Sequence, residues 1–414
     1  MPVARFASNR FLRGIAHFLM VFGPGIIVME ADNDAGALAT YTQAGAQYGL
    51  HLLWLLLILL PITYIVQEMV VRLGIVTGKG HALMIYRRFG RWWGNFSMVD
   101  LLVVNFLTLI TEFAAISMVM SQVGVSPYWS VPLVALALIV LVCRAGYNGW
   151  EKSMIVLCLI DAIWVVVACM HRGYTPMPII PPVKIDGALI FLIIAIIGTT
   201  IAPWQLFFQQ SCIANKKLRF QDLKFEQLDT FLGAVFTIIV AGAMMFCGRA
   251  VGAHYVDAGQ MAGFLGAKWG HGTGLALLLM GANAAILGTV AISLSSAWAY
   301  GEIKGWPHSL QLKFKDAKGF YSVYIGCVLL AAGIVLIPHL PLQLIIVGVQ
   351  VLAGIILPST IVFLQILLSD KLLMGDYVNT KFQNVVNWII VGFLIALSVV
   401  LVLQVILGGV HLTS

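Results

Sequence analysis

The sequence predicts an all-α polytopic membrane protein of eleven spans. Two blocks of five spans are followed by an eleventh, and the first and sixth spans are broken. Three observations carry this prediction. Hydrophobic residues make up 61% of the 414 residues and charged residues only 10%, whereas soluble proteins carry about 25% charged residues. Apolar runs close to the length of about 20 residues needed to cross the hydrocarbon core recur along the whole chain. Two of these runs, five apart, are interrupted by glycine, proline or acids. A water-soluble enzyme is thereby excluded, and the alternating segments of about 10 residues that mark a membrane β-barrel are not seen. The net charge of +7 is spread over separate loops rather than gathered in one patch, so nucleic acid is not an expected partner.

The first span, near 20–47, contains Gly23-Pro24-Gly25 and then Glu30, Asp32, Asp34 and Gly36. Spans two to five follow near 50–73, 99–121, 129–144 and 153–170, completing a first repeat over 20–170. The sixth, near 188–213, carries Gly198, Thr199, Thr200 and Pro203 in its middle. Spans near 228–247, 272–298, 321–338 and 342–368 complete the second repeat over 188–368, and the eleventh lies near 386–408. Residues 1–19 form an N-terminal segment. Its Arg5, Arg10 and Arg13 lead into Gly23-Pro24-Gly25 and acids, unlike a cleavable signal peptide. The longest intervals, near 74–98, 171–187, 248–271 and 299–320, leave no room for a soluble domain within one transmembrane unit. The six cysteines form no CxxC pair and read as membrane-core thiols.

With eleven spans, alternate loops fall on opposite sides of the bilayer. That places 20 of the 24 Lys and Arg residues on one side, leaving Arg172, Lys184, Arg249 and Lys268 on the other. By the positive-inside rule the N-terminus is cytoplasmic and the C-terminus external, in a plasma membrane. The run Arg87-Arg88-Phe89-Gly90-Arg91-Trp92-Trp93 reads as a juxtamembrane anchor on anionic lipid.

Broken helices at matching places in two halves point to a transporter's midplane binding site. A carboxylate at that depth costs at least about 2.5–3.5 kcal/mol and needs a functional reason. Asp34 adjoins Ala35-Gly36, where the chain unwinds; the simpler alternative is that it only caps a half-helix. Glu30 and Asp34, four apart, could share a helical face, with Asp32 pointing elsewhere. The span holds no Lys or Arg, so an external cation would supply the missing charge. The donors are hard oxygens: the Asp34 carboxylate, the Ala31 and Thr199 carbonyls in the unwound segments, and the Gln350 amide in span ten. No His, Cys or Met stands at either break, although Met29 precedes the first. Oxygen-only surroundings suit Mg²⁺, Ca²⁺ or Mn²⁺. The small residues Ala35, Gly36, Ala37 and Ala202 leave room for an ion that keeps its water, which favours Mg²⁺.

These motifs resemble those of the NRAMP family of divalent-metal transporters, and most closely its NRAMP-related magnesium transporter branch. Gly23-Pro24, then Asp34-Ala35-Gly36-Ala37, then Gln43-Ala44-Gly45-Ala46-Gln47-Tyr48-Gly49 keep the family's spacing around its Asp-Pro-Gly-Asn motif. Leu73–Lys79, Glu112-Phe113 and Leu373-Met374-Gly375-Asp376 are also family-like. The resemblance implies a LeuT-like inverted repeat. It makes Asp34 the main ligand, with the Ala31 and Thr199 carbonyls and Gln350 as further contacts, direct or through water. Ala37 and Ala202 would leave space for a hydrated ion, Asp32 and Asn33 would attract or orient its shell, and Trp204 could wall the site or simply pack. Ala37 stands where the family has Asn, Ala202-Pro203-Trp204 where it has Met-Pro-His, Gln209 where it has a second His, and Leu109 where it has Asp. The thioether that selects transition metals is thus absent and most proton-relay groups are missing, although Glu112 remains and could face the ion path or pair structurally.

The resulting expectation is a carrier that imports Mg²⁺, with Mn²⁺ tolerated, by alternating access without obligatory proton coupling. The alternative is a proton-coupled Mn²⁺/Fe²⁺ carrier. A Na⁺-coupled carrier of organic solutes is opposed by the dense acids of span one. An enzyme is opposed by the lack of any catalytic spacing, and a channel suits two broken helices less well than a gated carrier. No cofactor is expected, the metal being cargo. The partners are that ion and the lipid bilayer, with the chain acting as a monomer. Asp161 and Glu68 read as structural or gating acids, and His17, His308 and His339 as interface histidines.

Overall fold

The computed structural model describes residues 10–172 and 186–406. Expectations placed on Arg5, on Lys184 and on the last residues of the eleventh span lie outside the described residues. Helix α1 (Arg10–Val21) leads into the first broken span, made of α2 (Pro24–Glu30) and α3 (Ala35–Tyr48). Helices α4 (Leu53–Thr77), α5 (His81–Gln122), α6 (Pro127–Ile160) and α7 (Ala162–His171) complete the first repeat. The second opens with the broken pair α8 (Gly187–Thr200) and α9 (Pro203–Lys216) and continues through α10 (Leu223–Val251), α11 (Ala258–Trp269), α12 (His271–Lys304), α13 (Lys318–Val335) and α14 (Leu342–Leu368). A short α15 (Lys371–Met374) precedes α16 (Lys381–Ile406), and no strand occurs among the described residues.

Nine helical stretches among the described residues are long and apolar enough to cross a membrane. One of them, Pro127–His171, has 45 residues. At 1.5 Å per residue it would measure about 68 Å, roughly twice the hydrocarbon thickness. Gly146, at φ 63° and ψ 173°, breaks it into two crossings. Neither α2, with 7 residues, nor α3, with 14, spans the bilayer alone, but together they form a crossing, which brings the number to eleven. Span five is itself interrupted at Asp161, where α6 gives way to α7. The interval near 74–98, expected as a loop, is largely helical: α5 starts at His81 and bends at Gly90. Its basic and aromatic composition hid it from a reading based on apolar runs. The interval near 248–271 likewise holds α11.

The packing repeats as the spans do. Helix α4 lies against α9, while α10, five spans on, lies against α2 and α3; α5 and its counterpart α12 pack on each other, and α14 packs on α8. An aromatic cluster joins the repeats at their centre. Trp150 of α6 meets Trp298 of α12 edge-on at 6.2 Å, and Phe208 of α9 sits 5.6 Å from Trp298.

Candidate functional site: the paired helix breaks

The first break follows from local chemistry. Asp32, Asn33 and Asp34 offer the backbone side-chain alternatives to helix, and α2 ends with Ala31 as its C-cap. Asp34 then takes extended dihedrals and caps α3, its Oδ1 accepting the Ala37 amide at 2.9 Å. The second break follows from Pro203, which pushes the preceding residue out of the helical region. Ala202 is extended at φ −86° and ψ 144°, and α9 restarts with Pro203 in its first turn.

Each break frees a carbonyl. In an unbroken helix the Ala31 carbonyl would accept from the Ala35 amide, but that amide donates to Glu112 Oε2 at 3.1 Å. The Thr199 carbonyl would accept from residue 203, which is proline and has no N–H. The two carbonyls proposed from sequence are therefore among those that lose their helical donors at the breaks.

Tertiary contacts draw further groups to the same level. Glu112 of α5 and Asp34 both lie against Gly288 of α12, where a Cβ would come within 2.7 Å of the Glu112 carboxyl and 2.8 Å of Asp34 Cβ. Gly36 is small because the Gln350 side chain of α14 lies directly on it, and the Gln350 carbonyl also lies against Gly198 of α8. Tyr41 of α3 bonds Thr200 of α8 at 2.7 Å, tying the two broken spans together. Gln205 of α9 faces Asp32 and, through its Oε1, accepts from Gln67 Nε2 of α4 at 3.0 Å. All these groups are buried, Asp34 being only 2% exposed.

Several buried acceptors here have no hydrogen-bond partner: Asn33 Oδ1, Glu112 Oε1 and Thr199 Oγ1. The Asp32 carboxylate has only the Gln205 amide facing it, beyond good hydrogen-bond geometry, and the Gln350 Nε2 atom and the Trp204 indole N–H are unpaired. Among the described residues, no three His, Cys, Asp or Glu side chains are grouped so as to hold a metal directly. Any cation at the breaks would therefore draw on carbonyls, amides and water as well as carboxylates.

Other sequence-predicted residues are placed differently. Glu30 and Asp34 do not share a face, because the helix is broken between them. Glu30 Oε1 accepts from Thr237 of α10 at 2.8 Å and its Oε2 from Asn33 at 3.3 Å. Met29 is fully buried, its Cβ and Cγ packed on Gly233 of α10. Trp204 lies with its ring 6.1 Å from Phe208 and its carbonyl accepting from Ser295 at 3.0 Å. Gln209 donates to Thr230 at 2.8 Å and to Glu226 at 3.5 Å on α10. Ala37 and Ala202 are both buried, beside Asp34 and Pro203 respectively. Asp161 is held by Asn283 at 2.8 Å and Glu68 by Arg72 at 3.0 Å.

Sequence reasoning missed Asp229 of α10. Its carboxylate accepts the Gly23, Gly25 and Ile26 amides at 3.0, 2.8 and 3.3 Å, capping the start of α2. Its only sequence signal was an acid inside an apolar span. Gln205 was also missed, although an amide two residues after the span-six proline was a visible polar residue at that depth.

Two half-helix pairs facing each other in an inverted repeat, with unpaired oxygens turned into the breaks, define a membrane transporter of LeuT-like architecture. The family described as Natural resistance-associated macrophage protein-like (Nramp) matches residues 25–404, and the chain belongs to it. The chain is 25% identical over 425 aligned residues to the divalent metal cation transporter MntH of Staphylococcus aureus, covering 94% of this chain and 91% of that protein. The crystal structure of an Eremococcus coleocola manganese transporter, in complex with an aromatic bis-isothiourea compound, is similar at a TM-score of 0.77 and 18% identity, covering 95% of this chain and 87% of that one. MhsT in complex with L-phenylalanine is similar at a TM-score of 0.63 and 13% identity, covering 96% and 98%.

Proposed function

We propose that the chain is a carrier that imports Mg²⁺, with Mn²⁺ as a secondary cargo, as a largely hydrated ion held between the two helix breaks. Membership of the Nramp family makes it a divalent-metal transporter rather than an enzyme, with metal as cargo and not cofactor. The observation that carries the magnesium reading is the set of buried oxygens without donors at the breaks, in segments whose sequence places no His, Cys or Met at either break. Leaving such groups unpaired costs about 1–3 kcal/mol each, and a hydrated cation satisfies several at once. Asp34 supplies charge, the Ala31 and Thr199 carbonyls supply direct or water-mediated contacts, and Asp32 and Asn33 hold the outer water. Gln350 contributes by turning its amide so that Oε1 faces the ion. Ala37 and Ala202 leave the space that Mg²⁺ needs to keep its waters.

The membrane potential suffices to drive entry, at about 2.3 kcal/mol per charge per 100 mV and twice that for a divalent ion. Uncharged Leu109, Trp204 and Gln209 support transport without obligatory proton movement. One chain holds both broken spans, so a monomer suffices, and the Lys/Arg distribution supports a cytoplasmic N-terminus in a plasma membrane. The second reading, proton-coupled Mn²⁺ or Fe²⁺ transport, is favoured by similarity to the Staphylococcus divalent metal cation transporter and the Eremococcus manganese transporter.

Equilibrium binding of Mg²⁺ and Mn²⁺ to the purified protein separates the two. Mg²⁺ binding that is lost in Asp34→Ala supports the proposal. Binding of Mn²⁺ unaffected by a large excess of Mg²⁺ overturns it.

A further inference from the structure

Two cavities adjoin where α5 bends at Gly90, and they differ in chemistry. The first, of about 420 Å³, lies between the end of α4, the first turns of α5 and α15, and is lined by Lys79, Arg87, Arg88 and Asp370 with Met84 and Leu373. Arg88 is paired with Asp370 at 2.8 Å. Lys79 and Arg87 form no ion pair among the described residues, so the cavity carries two uncompensated positive charges.

The second cavity, of about 520 Å³, continues along the same helix beyond Phe89 and is almost wholly apolar, with walls from Phe89, Trp93, Phe96, Pro358, Phe363 and Ile395. Phe363 of α14 forms its floor, with the Phe89 and Trp93 rings at 5.2 and 5.9 Å. The cavities meet along two chains. Arg88 and Phe89 are consecutive, and Ile366, in the last turn of α14, lines the second while Asp370, just past the end of that helix, lines the first.

A basic cavity beside an apolar groove matches an amphiphile with an anionic head. Trp92 and Trp93 stand exposed beside the junction, as aromatic residues do at the headgroup level. We propose that α5, α14 and α15 form a site for one anionic glycerophospholipid. Lys79 and Arg87 hold its phosphate, the Arg88–Asp370 pair fixes the rim, and an acyl chain occupies the groove against Phe363. The site touches neither helix break directly. It joins α5, which supplies Glu112, to the end of α14, which supplies Gln350, so its occupancy bears on two elements of the transport site.

Native mass spectrometry of the full-length protein tests this, using palmitoyl-oleoyl phosphatidylglycerol, the matching phosphatidylcholine, and inorganic phosphate as separate probes. The proposal expects one tightly retained phosphatidylglycerol, at least fivefold over phosphatidylcholine, that millimolar inorganic phosphate does not displace. Lys79→Gln with Arg87→Gln removes that preference, and Val362→Trp, which fills the groove, removes the bound lipid while leaving the charges in place. Size-exclusion profiles and melting temperatures identify variants that remain folded. Equal retention of the two lipids, or full retention by both folded variants, overturns the proposal. Displacement by phosphate alone marks a site for free phosphate and overturns it too.

Discussion

The Ala35 amide donates to Glu112 Oε2 at 3.1 Å rather than to the carbonyl of Ala31. This bond from the third span holds the first span open at its centre. It also frees a carbonyl beside Asp34 while leaving Glu112 Oε1 unpaired. Glu112 thus belongs to the structure of the break as much as to any ion path, which joins the two roles the sequence left open for it.

Replacing Glu112 separates those roles. Glu112→Gln keeps an acceptor for Ala35 and should fold with nearly unchanged stability. Glu112→Ala orphans a buried amide and should cost about 1–3 kcal/mol. Thermal unfolding of the two variants side by side reads the difference, and equal melting temperatures would count against the capping role.

Asp34 both caps α3 and supplies charge. Asp34→Asn keeps an oxygen for the Ala37 amide, so its stability should stay close to that of the parent while Mg²⁺ uptake falls at least a hundredfold. Asp34→Ala should lose uptake and also about 1 kcal/mol of stability through the missing cap. Uptake preserved in Asp34→Asn would assign the residue to capping alone.

Ala202 stands in the second break, flanked in sequence by Ile201 and Pro203. Ala202→Met places a thioether there, and thioethers favour soft transition metals over Mg²⁺. Competition assays should show Cd²⁺ gaining at least tenfold over Mg²⁺ relative to the parent. An unchanged order of preference would remove position 202 from the selectivity account.

Asp229 receives three amides at the start of α2. Asp229→Ala leaves them buried without an acceptor, which should cost about 2–4 kcal/mol if about half of the single-amide penalties add. Asp229→Asn should recover part of the loss. Unfolding in increasing denaturant checks the order parent, Asn, Ala.

The two breaks were legible in the sequence because their causes are local. Pro203 cannot donate to Thr199, and three consecutive residues with short polar side chains, Asp32 to Asp34, disfavour a helix wherever they stand. The partners were less legible because they depend on packing. Gly288 and Glu112 meet only when α5 and α12 cross, and Asp229 reaches Gly25 across 204 residues. Glu30 misled for a related reason. Four-residue spacing places it with Asp34 only if the intervening helix is continuous, and the same acids that drew attention to the span interrupt it. Helix 81–98 was hidden by basic and aromatic residues that make a good interfacial helix and a poor hydropathy signal.

The central claim is that an oxygen-only, water-rich site carries Mg²⁺ without a proton. Uptake into proteoliposomes, with Mg²⁺ and Mn²⁺ run in parallel and a pH dye inside, addresses it most directly. The account predicts saturable Mg²⁺ entry that stops in Asp34→Ala and brings no acidification. Mn²⁺ entry accompanied by acidification, with no Mg²⁺ transport, would contradict it.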